Sequence, residues 1–302
     1  MHLEMHCLLF NSSKMKNRSI KKIINSQKVN MGGIHLQQPL PDRSADQIDP
    51  FILIHHGSLP VKQGKPQNES GVGPHPHRGF SPVTFVFKGG VQHQDSLGNN
   101  EVVTEGGTQW IHSGNGIIHS ERPSKEMVEK GGENEIIQFW VNTPAKFKME
   151  TPYYLPLSAD RTPLIKKDKA TIHVVAGEFE NINGPAKTYS PQTLLRLETK
   201  AGADLSLAIP KNYNTLIYLL DGEIESNGET AQAKDMIWFN NDGEQITIKV
   251  KADSRFILLS GEPIGEPVAT YGPFVMNTDE EIRQAMTDYQ EGKMGQLIED
   301  FD

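Results

Sequence analysis

Short runs of apolar and β-branched residues recur along the chain from about residue 50 to 262, and their pattern predicts its architecture. The runs include "PVTFVFKGG" (82–90), "TQWIHSG" (108–114), "EIIQFWVN" (135–142), "ATIHVVAG" (170–177) and "TLLRLETKAG" (193–202). They continue with "LIYLLDGEIES" (216–226), "DMIWFN" (235–240), "ITIKVKA" (246–252) and "RFILLSG" (255–261). Most give way to Gly, Asn, Asp or Pro, the residues that turns require. Many short strands at even spacing, with little helical period between them, predict an all-β sandwich or barrel. One helix is expected near the end, in "MNTDEEIRQAMTDYQEGKMG". Thr278 is its N-cap, with Glu281 three residues on as in a capping box. Ile282, Ala285, Met286 and Tyr289 form its apolar stripe, and Gly292 ends it.

The strand pattern also repeats. "TFVFKGGVQHQDSLGN" (84–99) and "LIYLLDGEIESNGE" (216–229) both read strand, glycine turn, strand, polar turn. Each is followed by a strand carrying a tryptophan, Trp110 in one case and Trp238 in the other. Two copies of one β unit predict a duplicated barrel. The proline-containing stretch "NTPAKFKMETPYYLP" (142–156) has no clean period and reads as the linker between the copies. The expected organisation is a disordered N-terminal extension over 1–30, a first barrel over 31–150, and a second over 151–302 ending in the helical tail.

Composition narrows the class. The 302 residues are 36% hydrophobic and 23% charged, as in a globular domain. No stretch approaches the roughly 18 apolar residues a membrane helix needs. Cys7 is the one cysteine, so neither an internal disulfide nor a thiolate zinc site is expected. The N-terminus lacks the layout of a secretory signal, so a cytoplasmic protein is expected, with residues 1–14 an extension or Met15 the true start. A net charge of −8, with one short basic run from Lys14 to Lys22, argues against direct nucleic-acid binding.

Histidine is distributed unevenly. His55, His56, His75, His77, His93, His112 and His119 fall in the first half, and His173 alone follows. Residues i and i+2 of a strand share a face, so His75 and His77 in "PHPHRGF" can point inward together. His119 and Glu121 in "SGNGIIHSE" repeat that spacing. Two such strands side by side bring together three imidazoles and a carboxylate, a set that suits a first-row divalent metal with positions left open. A group of hydrogen-bonded turn histidines is the alternative at this point. His93 and Asp95 are expected near the barrel mouth, His55 and His56 along the pocket or in a structural role, and His112 behind the ligands. Arg78 is expected to pair with an internal acid and Gln138 to face the pocket. Phe85, Phe87, Trp110 and Phe139 read as core.

These motifs resemble those of the pirin family, within the cupin superfamily. The resemblance runs from "DPFILIHHG" (49–57) to the C-terminus. It is carried by "PHPHRGF", "VFKGGVQHQDSLGN", "GNGIIHSE" and "GEPIGEPVATYGPFVMNTDEEI" (261–282). It implies two cupin, jelly-roll-like β-barrels packed face to face, with one metal in the N-terminal barrel held by His75, His77, His119 and Glu121. The usual cupin glutamate after the His-x-His pair is missing, since Ser81 and Pro82 stand there, and Glu121 takes its place. Gly116 keeps its place three residues before His119. Sliding the repeat so that Gly90 meets Gly222 puts Leu207 and Ile209 where His75 and His77 stand, so the second barrel is expected to hold no metal.

The resemblance implies two functions. In one, the protein is an Fe(II)-dependent dioxygenase of the quercetin 2,3-dioxygenase type. It opens a flavonol or related enol with O₂, and Glu121 is both ligand and catalytic base. Mn, Ni, Cu, Co and Zn are the other candidate metals. In the other, it is a metal- and redox-dependent regulator that binds a transcription factor or metabolic enzyme. A scaffold with a purely structural zinc is a third reading. A monomer is expected in each case.

Overall fold

Strand-forming sequence dominates the structure, a computed structural model that describes residues 15–301. Cys7 and the expectations for residues 1–14 lie outside the described residues. The first strands are β1 (Ile20–Asn25), β2 (Gln27–Met31), β3 (Ile34–Leu40), β4 (Phe51–Val61), β5 (Val72–His77) and β6 (Phe80–Lys88). β7 (Gly90–Asp95), β8 (Asn100–Thr104), β9 (Thr108–His112) and β10 (Ile117–Pro123) follow. A short helix α1 (Lys125–Lys130) precedes β11 (Gly132–Asn142) and β12 (Tyr153–Leu157). A seven-stranded sheet in the order β12-β9-β6-β11-β4-β3-β2 is faced by a four-stranded sheet, β5-β10-β7-β8, and the two enclose the N-terminal barrel.

The second half continues with β13 (Leu164–Lys167), β14 (Ala170–Ala176), the ribbon β15 (Glu178–Phe179) and β16 (Ile182–Asn183), and β17 (Gln192–Thr199). Next are β18 (Asp204–Ala208), β19 (Asn214–Ser226), β20 (Glu229–Gln232), β21 (Asp235–Phe239) and β22 (Gln245–Gly261). Apart from the β15–β16 ribbon, they join β1 in one nine-stranded sheet that curls into the C-terminal barrel. The first part of β22 pairs with β18 and its last part with β17, while β19 runs along its other edge. A hairpin of β23 (Ala269–Tyr271) and β24 (Phe274–Met276) leads to the helix α2 (Asp279–Gln290). The cap of α2 is as expected: the Thr278 side chain accepts from the Glu281 backbone, and the Glu281 carboxylate accepts from the Thr278 N–H.

The barrels meet on a shared apolar layer. Phe85, Trp110 and Phe139 from one sheet are buried with Leu216, Tyr218, Ile257 and Leu259 from the other, as expected of core residues. Desolvation of such side chains stabilises by about 1.5–3 kcal/mol each. The alternation of β6, β9 and β11 puts these residues on one face and leaves the opposite face to line the N-terminal barrel.

Three local expectations need correction. The end of the segment read as a disordered extension, from residue 20 to 30, is almost all strand: β1 pairs with β21 of the C-terminal barrel and β2 with β3 of the N-terminal one. The buried Arg18 pins this segment by donating to the carbonyls of Gly243, Tyr213, Pro210 and Lys211. The presumed linker contains β12, which pairs with β9 through Tyr153 to Leu157. The helical tail, assigned to the second barrel, packs on the first, where Arg78 meets Asp288 at 2.8 Å and Arg122 meets Glu299 at 2.8 Å. Polar and Pro-interrupted edge segments carry little periodicity, which is why these strands and the tail's docking escape a pattern reading.

Candidate metal centre

The His-x-His segment ends β5, and the second His-x-Glu segment lies on β10. The two strands are antiparallel neighbours with His75 opposite His119 and His77 opposite Ile117. The register breaks between His119 and Glu121, so Glu121 lies opposite Val72. The ligating atoms of His75, His77 and His119 lie within 4.8 Å of one another, close enough to converge on one ion. His77 and His119 are 3% and 0% exposed. Burial, with the neighbouring imidazoles adding to it, holds both well below the ordinary histidine range, so they are neutral and able to donate a lone pair.

Each ring is oriented from behind. His75 Nδ1 contacts the Gly73 carbonyl at 2.8 Å, and His77 Nδ1 contacts the Pro273 carbonyl at 3.2 Å. A carbonyl only accepts, so these nitrogens carry the protons and Nε2 of each ring is the acceptor. His119 Nδ1 lies 3.4 Å from His93 Nδ1, and its Nε2 is buried without a hydrogen-bond partner. A buried imidazole nitrogen left unpaired beside two others fits a metal ligand, as does the all-nitrogen, neutral character of the set. The strand end is shaped by glycine. Gly79 has φ +86, and a Cβ there would stand 2.1 Å from the Val275 carbonyl oxygen, so no other residue lets β24 close over the HRG turn.

Glu121 points the same way from β10 but is held elsewhere. Its Oε1 accepts from Thr84 at 3.3 Å and Gln109 at 3.2 Å, and its Oε2 from Gln138 at 2.8 Å. The cluster among the described residues that converges on one ion is therefore three histidines, with Glu121 beside it in an amide clamp. The clamp is built by register. His55 lies opposite Gln138, Gln138 opposite Thr84, and Thr84 opposite Gln109, one polar row across β4, β11, β6 and β9. Gln138 thus faces the site, as expected. Thr84 and Gln109 escaped notice; each is a polar residue on an inward position of an otherwise apolar strand, and that was the available signal. Tyr154 donates to Gln109 Oε1 at 3.0 Å and completes the clamp.

A cavity of about 840 Å³ opens on the same barrel, with Glu121 and Gln138 in its lining but none of the three clustered histidines. Its walls include Leu36, Leu59, Val61 and Ile136, and the tip of the β2–β3 hairpin at Gly32 and Gly33 borders it. His55 lines it, and burial holds this imidazole down to about 4. His56 instead faces the other barrel, where Nδ1 meets the Tyr218 hydroxyl at 2.9 Å and Nε2 stands 3.4 Å from Glu135. His112 is a correction. It lies on the opposite face of β9 from Gln109, its ring 4.3 Å from that of Tyr189, and does not back the ligands. Arg78 pairs with Asp288, the internal acid expected of it. His93 and Asp95 are buried next to His119 rather than at a mouth.

Known proteins resemble this chain in sequence and in fold. The family model described as Pirin matches residues 33–141, and that described as Pirin C-terminal cupin domain matches residues 194–295. The chain is 35% identical to pirin-like protein 2 of Arabidopsis thaliana over 91% of its length and 85% of the relative's. It is 34% identical to pirin of Homo sapiens, over 87% and 89% of the two chains. A crystal structure titled quercetin 2,3-dioxygenase from Acinetobacter baumannii superposes with a TM-score of 0.87 at 31% identity, covering 94% of this chain and all of that one. Among the described residues no helix is long and apolar enough to cross a membrane.

Proposed function

The chain belongs to the pirin family, and on that premise we propose that it is an iron(II)-dependent dioxygenase of the quercetin 2,3-dioxygenase type. In this reading His75, His77, His119 and Glu121 hold the metal. The cavity that Glu121 helps to line carries the proposal, because it gives a planar aromatic enol a way to the carboxylate two residues after His119. The similarity to a structure titled quercetin 2,3-dioxygenase supports the same reaction class.

A bound divalent metal supplies Lewis acidity toward the substrate hydroxyl and a meeting point for O₂. The chain's own residues do the rest. Leu36, Leu59, Val61 and Ile136 desolvate the ring system in the cavity. Glu121 receives the proton of the enol hydroxyl on a carboxylate oxygen. Gln109, Gln138 and Thr84 donate to that carboxylate and fix its direction.

The test is O₂ uptake by iron-loaded protein with quercetin, with His119→Ala as control. Uptake by the wild type alone is the expected result. Absence of uptake with iron confirmed bound overturns the enzymatic reading and leaves a metal-dependent binding protein.

A further inference from the structure

We infer that Asp95 and His93 form a hydrogen-bonded relay behind His119 that fixes its tautomer and makes it the most electron-donating of the three imidazoles, so that the pair biases a bound iron toward its higher oxidation state. The inference rests on the metal-centre reading above and adds two positioning residues to it.

The proton positions follow from one end of the chain of contacts. Asp95 Oδ1 accepts from the backbone of Leu97 at 2.9 Å and of Asn99 at 3.1 Å, and its Oδ2 accepts from the Asn99 side chain at 2.7 Å. A carboxylate with these donors is fixed as an acceptor. His93 Nε2 lies 2.9 Å from Asp95 Oδ2 and must therefore donate. In a neutral ring that leaves His93 Nδ1 as an acceptor, and the atom facing it at 3.4 Å is His119 Nδ1. His119 Nδ1 is then the donor, and its Nε2 is the lone-pair nitrogen that stands unpartnered beside His75 and His77. The opposite tautomer would put a proton where the metal binds.

The three histidines are not backed alike. His75 and His77 lean on neutral backbone carbonyls, whereas His119 leans on an imidazole that is itself polarised by a buried anion. His93 and His119 are both 0% exposed, so water does not screen the carboxylate's influence. The His93 ring is held in place by stacking on Tyr154, centroids 3.7 Å apart at 11°. Outer-sphere carboxylates of this kind orient a ligand and raise its basicity, and their loss typically weakens metal binding about 10–100-fold.

The experiment compares iron-loaded wild type, Asp95→Asn and His93→Phe, the last of which keeps the stack on Tyr154. The Fe(III)/Fe(II) midpoint potential and the affinity for each oxidation state are measured. Loss of the relay should weaken Fe(III) relative to Fe(II) about tenfold, which raises the potential by about 59 mV for one electron. Asn99→Ala removes a donor from Asp95 without cutting the relay and should not raise the potential. Equal weakening of both oxidation states, with the potential unmoved, makes Asp95 a structural residue and overturns the inference. A wild type that takes up no iron or other divalent metal overturns the metal centre and the relay together. Should either variant fail to fold, nitrogen NMR of the zinc-loaded wild type decides. Protonation of His119 at Nδ1 and His93 at Nε2 upholds the relay, and either opposite tautomer ends it.

Discussion

The two barrels share a strand plan and differ in what their walls enclose. In the N-terminal barrel the pair β5–β10 sets His75 opposite His119. In the C-terminal barrel the corresponding pair is β18–β22, and Leu207 stands opposite Ile246. The polar row of Gln138, Thr84 and Gln109 has no equivalent there, since Leu195, Leu219, Ile237 and Leu258 fill that interior with an apolar core. A barrel of this plan is stable when solid. Hollowing one out for a metal and a cavity requires stiffness from elsewhere, and here it comes from the shared layer between the barrels and from the C-terminal segment. That segment packs on the first barrel through Arg78–Asp288, Arg122–Glu299 and Lys148, whose ammonium donates to the carbonyls of Gly79 and Val275.

The largest test of this contrast is a matched pair of substitutions. His119→Ala removes a ligand, and metal affinity should fall by more than the roughly 10–100-fold typical of outer-sphere changes. Folding stability should fall as well, since a fully buried side chain is truncated, so metal content is the readout that separates the pair. Leu207→Ala, at the corresponding strand pair, should leave metal content unchanged and cost about 2–5 kcal/mol by opening a cavity in a packed core. Metal analysis and denaturant titration of both proteins read the two effects separately. A Leu207 variant that loses metal, or a His119 variant that keeps it, would erase the division of labour.

Acid should separate the barrels next. Burial holds His55 and His112 down to about 4, and His77 and His119 are also lowered, all four in the N-terminal half. His173, also held to about 4, is the one such group on the other side. A histidine whose folded-state value is depressed stays neutral when folded and takes a proton when unfolded. Its contribution is complete above about 6.5 and is lost as pH falls toward 4. Glu135 enters only at the acid end of this window. Burial alone would raise it, but hydrogen bonds from His56 and Arg255 bring it from 4.5 to about 2, so most of its contribution is lost below pH 4. In metal-free protein, hydrogen-exchange protection should therefore fade first in β5, β9 and β10 between pH 6.5 and 4. Equal fading in β17 and β22 over the same range would contradict the asymmetry.

Strand density, turn residues and the echo around Trp110 and Trp238 made the all-β, two-barrel plan legible, and the i, i+2 spacing brought out His75, His77 and His119. The site's surroundings were legible only in part. Glu121 was visible as a carboxylate at the right spacing, but the clamp on it was not, because Thr84, Gln109 and Gln138 become neighbours through strand register between distant segments. His112 was misplaced for a related reason. It shares a strand with Gln109, and a one-residue difference in phase decides which barrel face a side chain meets. β1 and the docking of the tail depend on contacts across most of the chain length, such as Arg18 with Gly243 and Gln94 with Asp300, which no local pattern encodes.

The smallest effect tests whether the C-terminal segment belongs energetically to the hollow barrel. Thr278→Ala removes the hydroxyl that accepts from the Glu281 N–H and breaks one half of the capping box. The expected cost is about 1 kcal/mol. Its location matters more than its size. α2 carries Asp288, which hydrogen bonds from Arg78, Gln284 and Lys293 hold well below the ordinary carboxylate range, and Arg78 directly follows His77. The turn after α2 sets Met294 against Gly116, where φ is +132 and a Cβ would stand 2.5 Å from the methionine side chain. Loosening the first turn of α2 should therefore reduce protection in β5 and β10 while β17, β19 and β22 keep theirs. Hydrogen exchange at neutral pH reads both sets in one experiment. Uniform loss over the two barrels would mean that they unfold as one unit and that the segment stabilises the whole molecule rather than the half that was opened for chemistry.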